Sequence, residues 1–159
     1  MKAHRWVGLA VTLLLLASSA NAQEKLKILF HVDSQDPARL EMTFHNVHSV
    51  EMHTGKKNVR MVVVANGPAV KLFLKNGSEK IDREIKDLVT AGNVEFHVCA
   101  TSLRAFGYKP SDVLADCQVV PAGVIDIAHL ESLGYAYIKP WTLIFLRWSA
   151  QLAGELLVS

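Results

Sequence analysis

Short apolar runs rich in β-branched residues alternate along this chain with stretches in which apolar residues recur at helical spacing. The runs predict five strands, at residues 27–33, 59–65, 94–99, 118–121 and 135–139. Helices are predicted between them, the longest over 38–53, which begins after Asp36-Pro37 and stops at Gly55. Another is predicted over 79–91.

This alternation of strands and helices is typical of βα units, in which the strands are parallel and helices cover both faces of the sheet. Without the first 22 residues the chain keeps about 137, which is within the usual range for one domain. We therefore predict one α/β domain over residues 23–140, with a mainly parallel sheet of about five strands.

The amino-terminal segment, residues 1–22, has the parts of a cleavable secretory signal. Basic residues at its start precede an apolar run of about twelve residues, and Ala20-Asn21-Ala22 has the small residues that signal peptidase recognises. The apolar run is shorter than the roughly 20 residues that a membrane-spanning helix needs. We expect cleavage after Ala22 and a periplasmic mature protein. No cysteine stands at the cleavage site, as a lipoprotein would require.

The carboxyl-terminal segment, residues 141–159, differs in character from the rest of the chain. It is strongly apolar but carries Arg147, Gln151 and Glu155 at helical spacing, which predicts an amphipathic helical extension with a narrow polar stripe. Those three groups would be costly in lipid, so a membrane span is disfavoured. Two interpretations stay open: a helix packed on the domain or on a second subunit, and a helix in peripheral contact with a membrane.

Charge and composition exclude several functional classes. The net charge is +2 and no basic cluster is larger than Lys56-Lys57, so we expect no nucleic-acid partner. Two cysteines are too few for a disulfide scaffold. The sequence contains no phosphate-binding loop, and we predict no cofactor.

Six segments agree in order and spacing with the pattern of a known family. They are Phe30-His-Val-Asp33 with Asp36-Pro37, Phe44-His-Asn46, Val62-Val-Val-Ala-Asn-Gly-Pro68, Val98-Cys-Ala-Thr-Ser-Leu103, Val119-Val-Pro-Ala-Gly-Val124 and Leu130-Glu-Ser-Leu-Gly-Tyr-Ala-Tyr-Ile-Lys-Pro140. Together they resemble the DsrE/DsrF-like family of small sulfur-relay proteins, in its exported branch. Two features depart from that pattern: Glu131 stands where a glutamine is usual, and residues 141–159 lie outside it.

The resemblance implies a three-layer α/β/α sandwich that assembles with itself into trimers or hexamers. It also implies a cysteine that accepts sulfur as a persulfide, and Cys99 is the residue at the matching position. Sulfur would come from, and pass to, a donor or acceptor protein or a small sulfur compound. Fold resemblance alone does not establish any of these functions.

Independently of the family, Cys99 lies where a reactive thiol is expected. It ends a predicted parallel strand just before a helix, and the amide groups of that helix would stabilise the thiolate. A buried, inert cysteine is the alternative, because free cysteine is among the most buried residue types. A disulfide with Cys117 is disfavoured, since the two residues fall at opposite ends of neighbouring strands.

Other candidate residues follow the carboxyl ends of the predicted strands, a region that we call the rim. His97 precedes Cys99 by two residues and shares its face of the sheet, either as a base or as a core histidine with satisfied hydrogen bonds. Whether the rim groups of the first strand use that face cannot be read from spacing. The remaining rim candidates are His31, Asp33, Asn66, Gly67 and Thr101.

A metal site is a weaker prediction, on the first helix. Glu41, His45 and His48 fall on one helical face and are of types that ligate transition metals. A solvated helix face with no ligand explains the same spacing.

These observations favour a periplasmic, oligomeric protein that carries sulfane sulfur on Cys99, as a carrier more than a turnover enzyme. The first alternative is a non-catalytic binding or assembly module of the same fold. The second is a metal-binding protein that uses the helix histidines.

Overall fold

The computed structural model describes residues 24–140, and its centre is a sheet of five parallel strands. The strands lie side by side in the order β4-β3-β2-β1-β5. Their bounds are β1 Leu26–Val32, β2 Val59–Ala65, β3 Val94–Cys99, β4 Gln118–Val120 and β5 Ala136–Ile138. Because all five run in the same direction, their carboxyl ends meet at one edge of the sheet, the rim.

Four α-helices connect the strands: α1 Pro37–Thr54, α2 Glu79–Thr90, α3 Ala100–Ala105 and α4 Gly123–Ser132. The start of α1 shows why the sequence signals were reliable. The Asp36 carboxylate accepts a hydrogen bond from the Ala38 N–H at 3.0 Å, and Pro37 occupies the first turn, where no N–H is needed. Short 3-10 helices lie at Lys56–Asn58, Gly67–Phe73 and Pro110–Asp112.

The larger core lies on the sheet face that α1, α2 and α3 cover. Phe96 of β3 is at its centre, with ring centroids 6.3 Å from those of Phe44 in α1 and Phe73 in the 3-10 helix. Ile85 of α2 and Leu103 of α3 are fully buried in the same cluster. Burial of several such side chains, at about 1.5 to 3 kcal/mol each, stabilises this layer.

The opposite face of the sheet has a smaller core. Leu29, Val62 and Val64 pack there against Leu130 of α4, which crosses this face on the way from β4 to β5. Helices therefore lie on both faces, as a three-layer α/β/α sandwich requires. The prediction of this fold class is confirmed.

The two edge strands are shorter than predicted, and local hydrogen bonding explains both differences. Pro121, predicted to end the fourth strand, has no N–H to donate to the sheet. The Tyr135 N–H donates to the Leu130 carbonyl at the end of α4 (3.1 Å), so β5 begins only at Ala136. The predicted leader, 1–22, and the predicted terminal helix, 141–159, lie outside the described residues. Among residues 24–140, no helix has both the length and the apolar character needed to cross a membrane.

Candidate functional site

Cys99 occupies the point at which the chain leaves β3 and enters α3. It is the last residue of the strand and, with φ −71° and ψ 114°, the N-cap of the helix. The neighbouring strand β4 continues into α4, which covers the opposite face of the sheet. Adjacent strands whose connections diverge in this way open a crevice at their carboxyl ends, where α/β proteins bind ligands.

Hydrogen-bond donors surround the Cys99 sulfur. Burial by itself raises the pKa of this thiol, but the Ser102 hydroxyl and the backbone N–H groups of Gly123, Ser102 and Thr101 more than offset that effect, so the pKa is lowered. The Ser102 N–H lies 3.4 Å from Sγ. These donors stabilise a negative charge on sulfur and therefore favour the thiolate.

Gly123 brings the start of α4 against this thiol because it has no side chain. A Cβ at that position would lie 3.1 Å from the Cβ of Asn66 and 3.2 Å from the Cβ of Cys99. Both distances are tighter than ordinary contacts, so a larger residue would push α4 away from β3. Glycine therefore allows a helix from one sheet face to contribute an N–H to a cysteine at the end of the next strand.

Ser102 is held in place by the rim as well. Its Oγ accepts a hydrogen bond from the Gly67 N–H at 2.8 Å, which leaves the hydroxyl proton for Cys99. The predicted rim residue Gly67, whose φ is +54°, thus acts on the thiol through Ser102 rather than directly. Three neighbouring connections, after β2, β3 and β4, contribute to the surroundings of one sulfur atom.

His31 and Asn66 form a second hydrogen-bonded group at the rim, which reaches β5. His31 and His97 both align with Val64 across the sheet, so His31 shares the sheet face of Cys99. His31 Nε2 lies 2.9 Å from Asn66 Oδ1, and Nδ1 lies 2.6 Å from the hydroxyl of Tyr137. Asn66 in turn lies beside Cys99, with Gly123 between them. The structure brings these predicted rim residues together.

His97 is paired away from the thiol. Its Nδ1 lies 2.7 Å from Asp126 Oδ2, on α4, and the residue is only 7% exposed. Within the described residues its Nε2 has no hydrogen-bond partner, although Glu95 Oε2 is 3.6 Å away. No hydrogen bond joins His97 to Cys99, so its observed contact fixes α4 to β3 rather than activating the sulfur.

Two further rim candidates, Asp33 and Thr101, have defined partners. Asp33 forms an ion pair with Lys139 and lies 3.8 Å from Arg39 Nη1. Burial raises the pKa of Asp33, but the hydrogen bond and charge of Lys139, with smaller effects of His31 and Arg39, lower it overall. The Thr101 hydroxyl donates to the Pro121 carbonyl at 3.0 Å and so ties α3 to the end of β4.

Cys117 has quite different surroundings. Burial, together with the negative charges of Asp116 and Asp82, raises its pKa to about 12. Both cysteines are free thiols. Gln118 aligns with His97 across the sheet, which places Cys117 level with Phe96, three residues or about 10 Å along the strand from Cys99.

The helix residues predicted as metal ligands are engaged elsewhere. Glu41 accepts a hydrogen bond from Lys80 at 2.7 Å, and His48 lies 2.6 Å from Glu84 Oε1. His45 is exposed on the same helix. Across residues 24–140, no group of three or more His, Cys, Asp or Glu side chains is arranged to hold a metal ion.

Sequence reasoning missed the most direct contacts of Cys99, which are Ser102 and Gly123. Ser102 is three positions after an N-cap residue, a spacing at which side chains and N–H groups commonly meet, so a signal for it was present. Gly123 is 24 residues from Cys99, and only the order of the strands brings it there. Tyr137 likewise meets His31 only because β5 lies beside β1.

Residues 10–140 match the model of the DsrE/DsrF-like family. Among solved structures, the chain is similar to the Methanobacterium thermoautotrophicum protein of unknown function MTH1491, with 29% identity and a TM-score of 0.66, over 73% of this chain and 100% of that chain. The Escherichia coli protein ychN is 13% identical with a TM-score of 0.57, over 74% and 99% of the two chains. The conserved protein of unknown function BT1422 from Bacteroides thetaiotaomicron is 14% identical with a TM-score of 0.53, over 71% and 93%. The last two likenesses concern the fold alone. No curated protein matches the chain.

Proposed function

The chain belongs to the DsrE/DsrF-like family, and from that premise we propose that it carries sulfane sulfur as a persulfide on Cys99. The observation that carries the proposal is the set of donors around one sulfur atom: the Ser102 hydroxyl and the N–H groups of Gly123, Ser102 and Thr101. A sulfur carrier needs a thiol that ionises readily and a pocket that stabilises the sulfur anion after transfer. One set of donors serves both purposes.

The transfer step needs no oxidant. The Cys99 thiolate attacks the outer, sulfane sulfur of a donor such as thiosulfate; a new S–S bond forms, the donor's own S–S bond breaks, and sulfite leaves with the bonding electron pair. The product is a Cys99 persulfide anion. An acceptor thiolate then attacks the outer sulfur and regenerates the Cys99 thiolate. The protein is a carrier in this scheme, because each cycle needs both a donor and an acceptor.

The burial of Cys99 bears on the kind of donor. The residue is only 4% exposed, and Gly123 and Ser102 pack against it. A small sulfur compound can reach an enclosed thiol with little displacement of its surroundings, whereas a bulky donor protein would have to displace part of the rim. Small inorganic or low-molecular-weight donors are therefore favoured in the loading step.

The test is intact-mass measurement of the mature protein after incubation with thiosulfate or polysulfide. Gains of about 32 Da per sulfur are expected in the wild type and in Cys117→Ser, and none in Cys99→Ser. Persistence of the gain in Cys99→Ser, or its absence from the wild type with both donors, contradicts the proposal. Folding of each variant is checked by thermal unfolding.

We propose further that the protein acts in the periplasm as an oligomer. Residues 1–22 support export through their signal-like composition. Exposed apolar side chains support self-association, since Val124 and Ile125 on α4 are 64% and 70% exposed. Cell fractionation and light scattering of the mature protein test these two statements separately.

A binding or assembly module of the same fold is the second candidate. The 4% exposure of Cys99 and the exposed apolar residues of α4 are the observations that favour it. A protein that forms stable oligomers but gains no sulfur in the mass experiment would have this function instead.

A further inference from the structure

A cleft of about 510 Å³ opens at the rim, beside the connections that follow β1, β2 and β3. It lies between the segment after β1, the 3-10 helix after β2, the end of α3 and the residue that follows β5. Its lining residues are Asp33, Ser34, Gln35, Arg39, Pro68, Lys71, Phe106 and Lys139. Four separate segments of the chain therefore converge on one concave surface.

Most charged side chains that line this cleft are cationic. Three of its lining side chains are cationic, namely Arg39, Lys71 and Lys139, whereas Asp33 is the one carboxylate among them. Asp33 pairs with Lys139 and lies 3.8 Å from Arg39, whereas Lys71 is not paired with it. A concave surface whose cationic side chains outnumber its carboxylates attracts anions.

Lys71 is the cation best placed to meet such a ligand. Its Nζ donates to the neutral Gln35 Oε1 at 3.1 Å and lies 4.6 Å from the centroid of the Phe106 ring. Within residues 24–140, no carboxylate lies within ion-pair distance of it. Lys71 is half-buried. Because Gln35 and Phe106 are neutral, they do not compensate its positive charge, and its ammonium group has further N–H donors for a ligand.

The cleft is connected to Cys99 by direct contacts. A Cβ on Gly67 would lie 3.6 Å from the carbonyl oxygen of Asp33, and the Gly67 N–H donates to Ser102 Oγ. Ser102 donates in turn to the Cys99 sulfur. Gly67 and Ser102 thus form one series of contacts from the cleft residue Asp33 to the thiol.

We propose that this cleft binds small sulfur oxyanions, thiosulfate being the representative, and holds them at the rim on the Ser102 side of Cys99. The inference rests on the proposed function and specifies its donor class. Lys71 and Lys139 provide charge-assisted hydrogen bonds to the oxyanion, and Phe106 and Pro68 form the apolar part of the wall. Uncharged sulfur donors would not be stabilised by the positive charges of this site.

The experiment measures thiosulfate binding to the mature Cys99→Ser protein by calorimetry at fixed ionic strength. Because this variant cannot form a persulfide on Cys99, the signal reports binding alone. We expect saturable binding with one site per chain, weakened about tenfold by Lys71→Met, the loss expected for one charge-assisted hydrogen bond. Lys71→Arg, which keeps the charge, retains most of the affinity. Lys86→Met removes the same charge from α2, outside the cleft lining, and leaves affinity unchanged.

The outcomes separate the two proposals. Binding that is absent, or equally weak in Lys71→Met and Lys86→Met, overturns the cleft inference even if Cys99 forms a persulfide. Binding that depends on Lys71, in a protein whose wild type never gains sulfur, supports the cleft and overturns the carrier function. Thermal unfolding of Lys71→Met shows whether a loss of binding reflects a loss of fold.

Discussion

Cys99 and Cys117 lie at opposite ends of two neighbouring strands, and the pKa values of the two thiols are shifted in opposite directions. At the carboxyl end of β3, N–H groups and a hydroxyl lower the pKa of Cys99 despite its burial. At the amino end of β4, burial and two aspartates raise the pKa of Cys117 to about 12. Both are free thiols of the same chain. Position relative to the direction of the strands therefore accounts for the opposite pKa shifts of the two cysteines.

The physical reason is the polarity of the backbone. In a parallel sheet, every following helix begins at the carboxyl edge, so unpaired N–H groups collect there and stabilise anions. Asp33 follows the same trend, since its pKa is also lowered at this edge, although by Lys139 instead of by N–H groups. The amino edge has no such donors to offer Cys117, and acidic side chains stand beside it.

Alkylation rates give the largest expected contrast between the two thiols. With a small reagent such as iodoacetamide at pH 7.5, Cys99 in the Cys117→Ser variant should react at least about a hundredfold faster than Cys117 in the Cys99→Ser variant, because only the thiolate is nucleophilic. Mass spectrometry of the folded variants over time measures both rates. Equal rates would mean that access, and not ionisation, governs reactivity.

Enlarging Gly123 should reduce the difference in alkylation rate between Cys99 and Cys117 and should also destabilise the fold. In Gly123→Val the new side chain meets Cys99 and Asn66, which we expect to cost about 1 to 3 kcal/mol and to withdraw the Gly123 N–H from the sulfur. Urea unfolding and the pH dependence of Cys99 alkylation measure the two effects. Ala128→Val, at an exposed position of the same helix, is the control: it should leave Cys99 alkylation unchanged and cost only about 0.5 kcal/mol, the lower helix propensity of valine. A Gly123→Val protein with wild-type stability would show that the contact is not tight.

Removing the Ser102 hydroxyl should have a narrower effect. Ser102→Ala loses one hydrogen bond to the sulfur and leaves the Gly67 N–H without its acceptor, so the pKa of Cys99 rises and alkylation near pH 7 slows about tenfold. The reaction should recover at higher pH, where the thiolate forms without help. Ser111→Ala, at an exposed position of the 3-10 helix Pro110–Asp112, serves as the control. A rate that is slow at every pH would point to lost access instead.

Asp33 provides the smallest expected effect, on stability as a function of pH. Its pKa is lower in the folded protein than in the unfolded chain, so its stabilising contribution is present above about pH 4, the unfolded value, and disappears as pH falls through the folded pKa. The carboxylate is partly exposed, and we expect under about 1 kcal/mol. Denaturant unfolding of wild type and Asp33→Asn should differ at pH 7 and converge at low pH. A difference that is constant with pH would exclude an origin in ionisation.

Much of the fold could be predicted from the sequence because its signals are local. The runs at 59–65 and 94–99 coincide with β2 and β3, and α1 begins at Pro37 as its cap predicts. The edge strands were less accurate at their ends, because Pro121 has no N–H to donate to the sheet and the Tyr135 N–H donates back to Leu130 of α4.

The candidate site, too, was predictable where its features are local and unpredictable where they depend on tertiary contacts. The sequence by itself placed Cys99 at the end of a strand and before a helix, because strand and helix signals depend on neighbouring residues. Only the tertiary structure placed Gly123 against that thiol, His31 on its sheet face and Lys139 beside Asp33. Those contacts depend on strand order and on the face that each helix covers. Packing of the whole chain determines both. Cys99 and Gly123 are 24 positions apart in the sequence, and Asp33 and Lys139 are 106 positions apart, so these pairs meet only when the sheet assembles.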